Sequence, residues 1–108
     1  MSKMLNTFYD FKLADGTTVP LTLNFYYLYQ LRTKNKAMYE RYNKIMVNQS
    51  KGNYDDIENV EILYTAYTCA GLARPEITLM QFDEFLMQCG SNREAVGKAL
   101  QALLAPKN

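Results

Sequence analysis

The 108-residue chain has no histidine and no tryptophan, and only two cysteines, five glycines and three prolines. Without histidine it lacks the commonest general base near neutral pH and the commonest metal ligand. Cys69 and Cys89 stand far apart in the sequence, unlike the close ligand pairs of a structural zinc site, so neither a metal nor a cofactor is expected. The scattered glycines form neither a phosphate-cradling loop nor a dinucleotide fingerprint. No apolar run approaches the roughly 18 residues of a membrane span, and the opening MSKMLNTFYDFKLADG lacks the positive-then-apolar block of a secretory signal. A protein that stays in the cytoplasm, with no membrane partner, is the expectation. Both cysteines fall within apolar helical patterns, which suits two small core thiols in a reducing compartment; an exposed reactive thiol is the alternative.

Charge of one sign is also missing. Twelve Lys plus Arg face eleven Asp plus Glu, so the molecule as a whole offers no strong pull on nucleic acid or anionic lipid. Adjacent acids occur at Asp55-Asp56 and Asp83-Glu84. The first pair falls at a predicted helix start, where acids favour the helix dipole, and the second projects away from Phe82 and Phe85. Neither reads as a catalytic pair, and no enzymatic activity is expected.

What is abundant is apolar and aromatic. With 48% hydrophobic and 13% aromatic residues, the chain can bury enough surface to offset its conformational entropy. FYDFKLADGTTVPLTL alternates apolar and polar residues around Asp15-Gly16 and predicts a β-hairpin. Tyr9, Phe11 and Leu13 share one face of it, as do Val19, Leu21 and Leu23, and Pro20 means that the second strand either lies at an edge there or begins just after it. Asn24 is positioned to cap a helix whose stripe is Phe25, Leu28 and Leu31, with Tyr26 turned outward. Met38, Tyr39, Tyr42, Ile45 and Met46 form a second stripe of different phase, so a break is expected near 34–36. VNQSKGNYDD reads as the main loop.

Asp55 with Glu58 opens a third helix, apolar nearly all round, whose stripe begins with Ile57 and Val60 and which Gly71 is placed to end. Thr78 with Gln81 and Ser91 with Glu94 look like two further capping boxes. The first precedes Leu79, Phe82, Phe85, Leu86 and Cys89. The second precedes Val96, Ala99, Leu100, Leu103 and Leu104. The fold expected is mainly α: a bundle of about five helices with an N-terminal β-hairpin. It makes a single domain over 1–108, with the hairpin in 1–24, helices over 25–104 and a short tail at 105–108.

The stretch NFYYLYQLRTKNKAMYERYNKIM, residues 24–46, carries six rings alongside Arg32, Lys34, Lys36, Arg41 and Lys44. Stacking rings beside cations can grip single-stranded nucleic acid. Most of these rings, however, lie on the helical faces of Leu28, Leu31, Ile45 and Met46 and are expected in the core. Nine tyrosines without tryptophan suit a rim that another protein covers, because a half-exposed ring satisfies its hydroxyl in water. Met80 and Met87 read as a surface pair of adaptable thioethers.

The order of these elements resembles the tail assembly chaperones of long-tailed bacteriophages and prophages of Gram-positive hosts. The resemblance rests on ADGTTVPLTLNF feeding YYLYQLR, then DDIENVEILYTAYTCAG, ITLMQFDEFL and NREAVGKALQALL. It implies a small helical protein of the host cytoplasm that binds the tape measure protein, keeps it soluble and assists the tail tube protein to assemble around it; self-association is left open. The partner-binding candidates are then Tyr26, Met80 and Met87, with Tyr39 and Tyr42 on the rim. The competing readings are a nucleic-acid-binding regulator using Arg32, Lys34, Lys36, Arg41 and Lys44, and a structural component of the virion.

Overall fold

A computed structural model describes residues 8–105. A hairpin of β1 (Tyr9–Lys12) and β2 (Thr18–Leu21) is followed by α1 (Phe25–Lys34), α2 (Lys36–Ser50), α3 (Asp56–Ala73), α4 (Phe82–Cys89) and α5 (Arg93–Leu104). The mainly α architecture with an N-terminal hairpin is the one expected.

The strands pair antiparallel, with Tyr9 opposite Leu21 and Phe11 opposite Val19. Their alternation buries Phe11, Leu13 and Leu21 and leaves Asp10 and Lys12 in solvent. The turn is a three-residue loop. Leu13 N–H donates to the Thr17 carbonyl at 2.8 Å, Gly16 N–H donates to the Leu13 carbonyl at 2.9 Å, and only Gly16, at φ 93°, takes the left-handed conformation. Asp15 fastens the loop by accepting from both the backbone N–H and the hydroxyl of Thr17, and these hydrogen bonds hold its carboxyl below the usual value.

The apolar α3 is the central helix, touching β2 and the other four helices, and it buries residues from Val60 through Ala70 on more than one side. Asp55 caps it, one carboxylate oxygen accepting from Ile57 N–H at 2.8 Å and Glu58 N–H at 3.0 Å. Replacing Asp55 with alanine removes both bonds and is expected to cost about 1 kcal/mol, up to ~2, read as a lower urea midpoint at unchanged slope.

Several local expectations are corrected. Helix α2 runs to Ser50, four residues into the segment read as loop. Gly71 does not end α3, which continues to Ala73. The glycine instead admits the Leu79 side chain, since a Cβ at 71 would lie 3.0 Å from Leu79 Cδ2. The Thr78–Gln81 box does not form: Gln81 precedes α4 with no side-chain cap. Two tyrosine hydroxyls hold the backbone just ahead of it, Tyr64 donating to the Met80 carbonyl at 2.8 Å and Tyr67 accepting from Met80 N–H at 3.1 Å. Asn92, not Ser91, caps α5 by accepting from Ala95 N–H. Ile57 and Leu104, expected to face inward, are exposed.

Candidate functional site

Helices α1 and α2 meet at Asn35, which serves both. Its N–H donates to the Leu31 carbonyl at 2.7 Å and closes α1, while its side chain accepts from Met38 N–H at 3.2 Å and opens α2. The two helices thereby diverge around an open groove of about 380 Å³. Phe25, Leu28, Tyr29 and Arg32 line it from α1; Tyr39, Tyr42, Asn43 and Met46 line it from α2.

Phe25 is 86% exposed and Tyr29 58%, although the stripe of Phe25, Leu28 and Leu31 was expected to face the core. The buried line of α1 is centred on Leu28 and Leu31 with Tyr27 half-buried. At about 100° per residue, Phe25 stands roughly 110° from the middle of that line. Centring the stripe on 27, 28 and 31 was the signal that would have found it. Arg32 lies between the walls, its guanidinium carbon 5.6 Å from the centroid of Tyr29 and 5.7 Å from that of Tyr39. Such cation–π contacts hold the stem of the cation along the groove.

The expected partner-binding residues divide. Tyr26 is exposed as expected, its hydroxyl accepting from the Gln30 side-chain amide at 3.0 Å. Tyr39 is half-buried on the groove wall. Tyr42 is not a rim residue: it is only 8% exposed and forms the groove floor. Burial, with Cys69 and Tyr39 adding, pushes its hydroxyl up to about 12. Met87 is 75% exposed, but Met80 precedes α4 and packs against the core. The two methionines therefore do not share a helical face, because the helix assumed to carry both starts only at Phe82.

The basic residues also disperse. Arg41 turns toward α3, bonding Glu61 at 2.9 and 3.1 Å and Glu58 at 3.4 Å, and these carboxylates raise its pKa, the Glu61 hydrogen bond most. Lys36 lies 3.9 Å from Glu40. Lys34 projects about 180° from Phe25 around α1, and Lys44 about 140° from Tyr39 around α2. Arg32 is thus the one cation of the five that lines the groove.

Cys69 and Cys89 are buried and unpaired, the thiol environment expected. Among the described residues no cluster of acids or cysteines could hold a metal ion, and no helix is long and apolar enough to cross a membrane. Comparison with protein-family models, with characterised proteins and with solved structures finds no match to this chain.

Proposed function

We propose that this protein is a non-enzymatic tail assembly chaperone of a long-tailed phage or prophage. In this reading it holds the tape measure protein in solution in the host cytoplasm until tail tube subunits assemble around it. The observation that carries the proposal is the aromatic groove between α1 and α2, where Phe25 and Tyr29 stand in water beside a fixed arginine. Aromatic side chains and arginine dominate the energetics of protein interfaces. An open groove with a ring floor suits one apolar face of an amphipathic helix, and the flexible Met46 at its side tolerates more than one sequence.

Co-expression with the tape measure protein tests it. The wild-type chain is expected to bring that protein into the soluble fraction as a complex. Phe25→Asp with Tyr29→Asp is expected to lose the complex while the melting temperature stays near wild type, because both side chains are already exposed. Retention of the complex by this double variant would remove the groove from the mechanism. Salt-sensitive binding of an oligonucleotide that Arg32→Glu abolishes would favour the regulator instead. Presence of the chain in purified particles by mass spectrometry would favour a virion component.

A further inference from the structure

The hairpin has two outer edges, and among the described residues only one is closed along its length. The hydrogen bond from Leu13 N–H to the Thr17 carbonyl, with the register of the strands, fixes which backbone groups face inward. Tyr9, Phe11 and Leu13 turn their peptide groups toward β2, and Asp10, Lys12 and Ala14 turn theirs outward. The outward residues of β2 are Thr18, Pro20 and Thr22. Pro20 has no N–H, and Thr22 N–H donates to the Ala66 carbonyl of α3 at 3.1 Å, so that edge is blunted and covered. On β1, Ala14 N–H is taken by the Gln88 carbonyl at 2.9 Å. Asp10 and Lys12 have no backbone partner outside the hairpin ladder among the described residues. Beside them the surface opens into a groove of about 720 Å³, bounded by the α4–α5 turn at Gly90 to Asn92 and by Glu94, Ala95 and Lys98 of α5.

An exposed edge is ordinarily guarded by charges that repel another strand. Here the two charges have opposite sign and sit two residues apart on the solvent face. We infer that β1 pairs antiparallel with β1 of a second copy, about a two-fold axis through Phe11, to make a four-stranded sheet. That register sets Asp10 opposite the second copy's Lys12 and Lys12 opposite the second copy's Asp10. The outward peptide groups of each such pair exchange both of their hydrogen bonds, and each carboxylate meets an ammonium. Neither side chain makes an ion pair within the chain among the described residues, so both are available. The apolar faces of the two hairpins remain on the core side of the joined sheet. This pairing is independent of the function proposed above, since the α1–α2 groove shares no lining residue with the β1 edge.

Sedimentation velocity over a concentration series reaching the millimolar range tests the pairing. The 12.5 kDa chain is expected to move to twice its mass, and the Asp10 and Lys12 amides to exchange more slowly as the dimer forms. Asp10→Lys alone and Lys12→Asp alone each set like charges opposite one another. Each is expected to weaken the dimer about tenfold or more, with an unchanged thermal melt at concentrations where the wild-type chain is monomeric. Mixing the two variants pairs an all-basic strand with an all-acidic one and is expected to restore a dimer containing one of each. A wild-type chain that stays monomeric throughout overturns the inference, and so does a dimer indifferent to both substitutions or singly charged variants that fail to combine.

Discussion

Replacing Phe85 with alanine is expected to lower the unfolding free energy by about 3–5 kcal/mol, the cost of removing a fully buried aromatic ring and leaving a cavity. Phe85 is 0% exposed and joins three parts of the molecule. Its ring stacks on Tyr67 at 5.2 Å and meets Tyr64 edge-on at 5.5 Å, both on α3, and it lies 6.3 Å from Phe11 of the hairpin. No neighbour can fill the space cheaply. The hydroxyls of Tyr64 and Tyr67 are committed to the Met80 backbone, so moving either ring into the void breaks a hydrogen bond. A domain of this size is stabilised by about 5–15 kcal/mol in total, so the variant gives up a large fraction of its stability. Urea denaturation should show the loss as a lower midpoint with an unchanged slope. The same substitution at Phe25 is expected to stay within about 0.5 kcal/mol, because that ring is already in water. A large loss at Phe25 would mean that the groove wall belongs to the core.

The contrast between these two phenylalanines shows where a sequence is legible. Phe85 was readable as core because Phe82, Phe85, Leu86 and Cys89 repeat at helical spacing on one side of acids at 83 and 84. The hairpin was readable for the analogous reason: strict alternation leaves a single register in which Phe11 and Leu21 are both buried. Around Phe25 the pattern is degenerate. Rings at 25, 26, 27 and 29 occupy most of the circumference of α1, so composition alone does not choose the face, and contact with α3 decides it. Gly71 and the Thr78–Gln81 pair were misread for another reason. Each carries a valid local signal that a tertiary contact overrides, Leu79 against the glycine and two tyrosine hydroxyls on Met80. The dispersal of the basic residues was equally hidden, since it depends on Glu58 and Glu61 standing across from Arg41 once α2 packs on α3.

Stability should also fall steeply in alkali, through the two cysteines. Burial pushes the Cys69 thiol up from an ordinary 9.0 to about 12 and the Cys89 thiol from 9.0 to about 11. Below pH 9.0 both thiols are protonated whether or not the chain is folded, so the contribution is fully present. Between pH 9.0 and about 11 the unfolded chain loses both protons while the folded one keeps them. The unfolded state then binds fewer protons, and stability decreases as pH rises. Each thiol takes away about 1.4 kcal/mol per pH unit in that window. Above about 11 Cys89 ionises in place and its share levels off, while Cys69 continues toward about 12. Tyr42, likewise raised to about 12 by burial first and then by Cys69 and Tyr39, adds a third loss above its ordinary value of 10.0. Unfolding free energies obtained from urea denaturation at about pH 8 and about pH 10.5 are therefore expected to differ by several kcal/mol for the wild-type chain. Cys69→Ala combined with Cys89→Ala should flatten that difference whatever its effect on stability at neutral pH, because the slope counts protons and the offset counts cavities. An equally steep slope in the double variant would assign the alkaline loss to Tyr42 and Tyr64, whose hydroxyls burial also raises, and would place the two thiols in surroundings less dry than α3 and α4 provide.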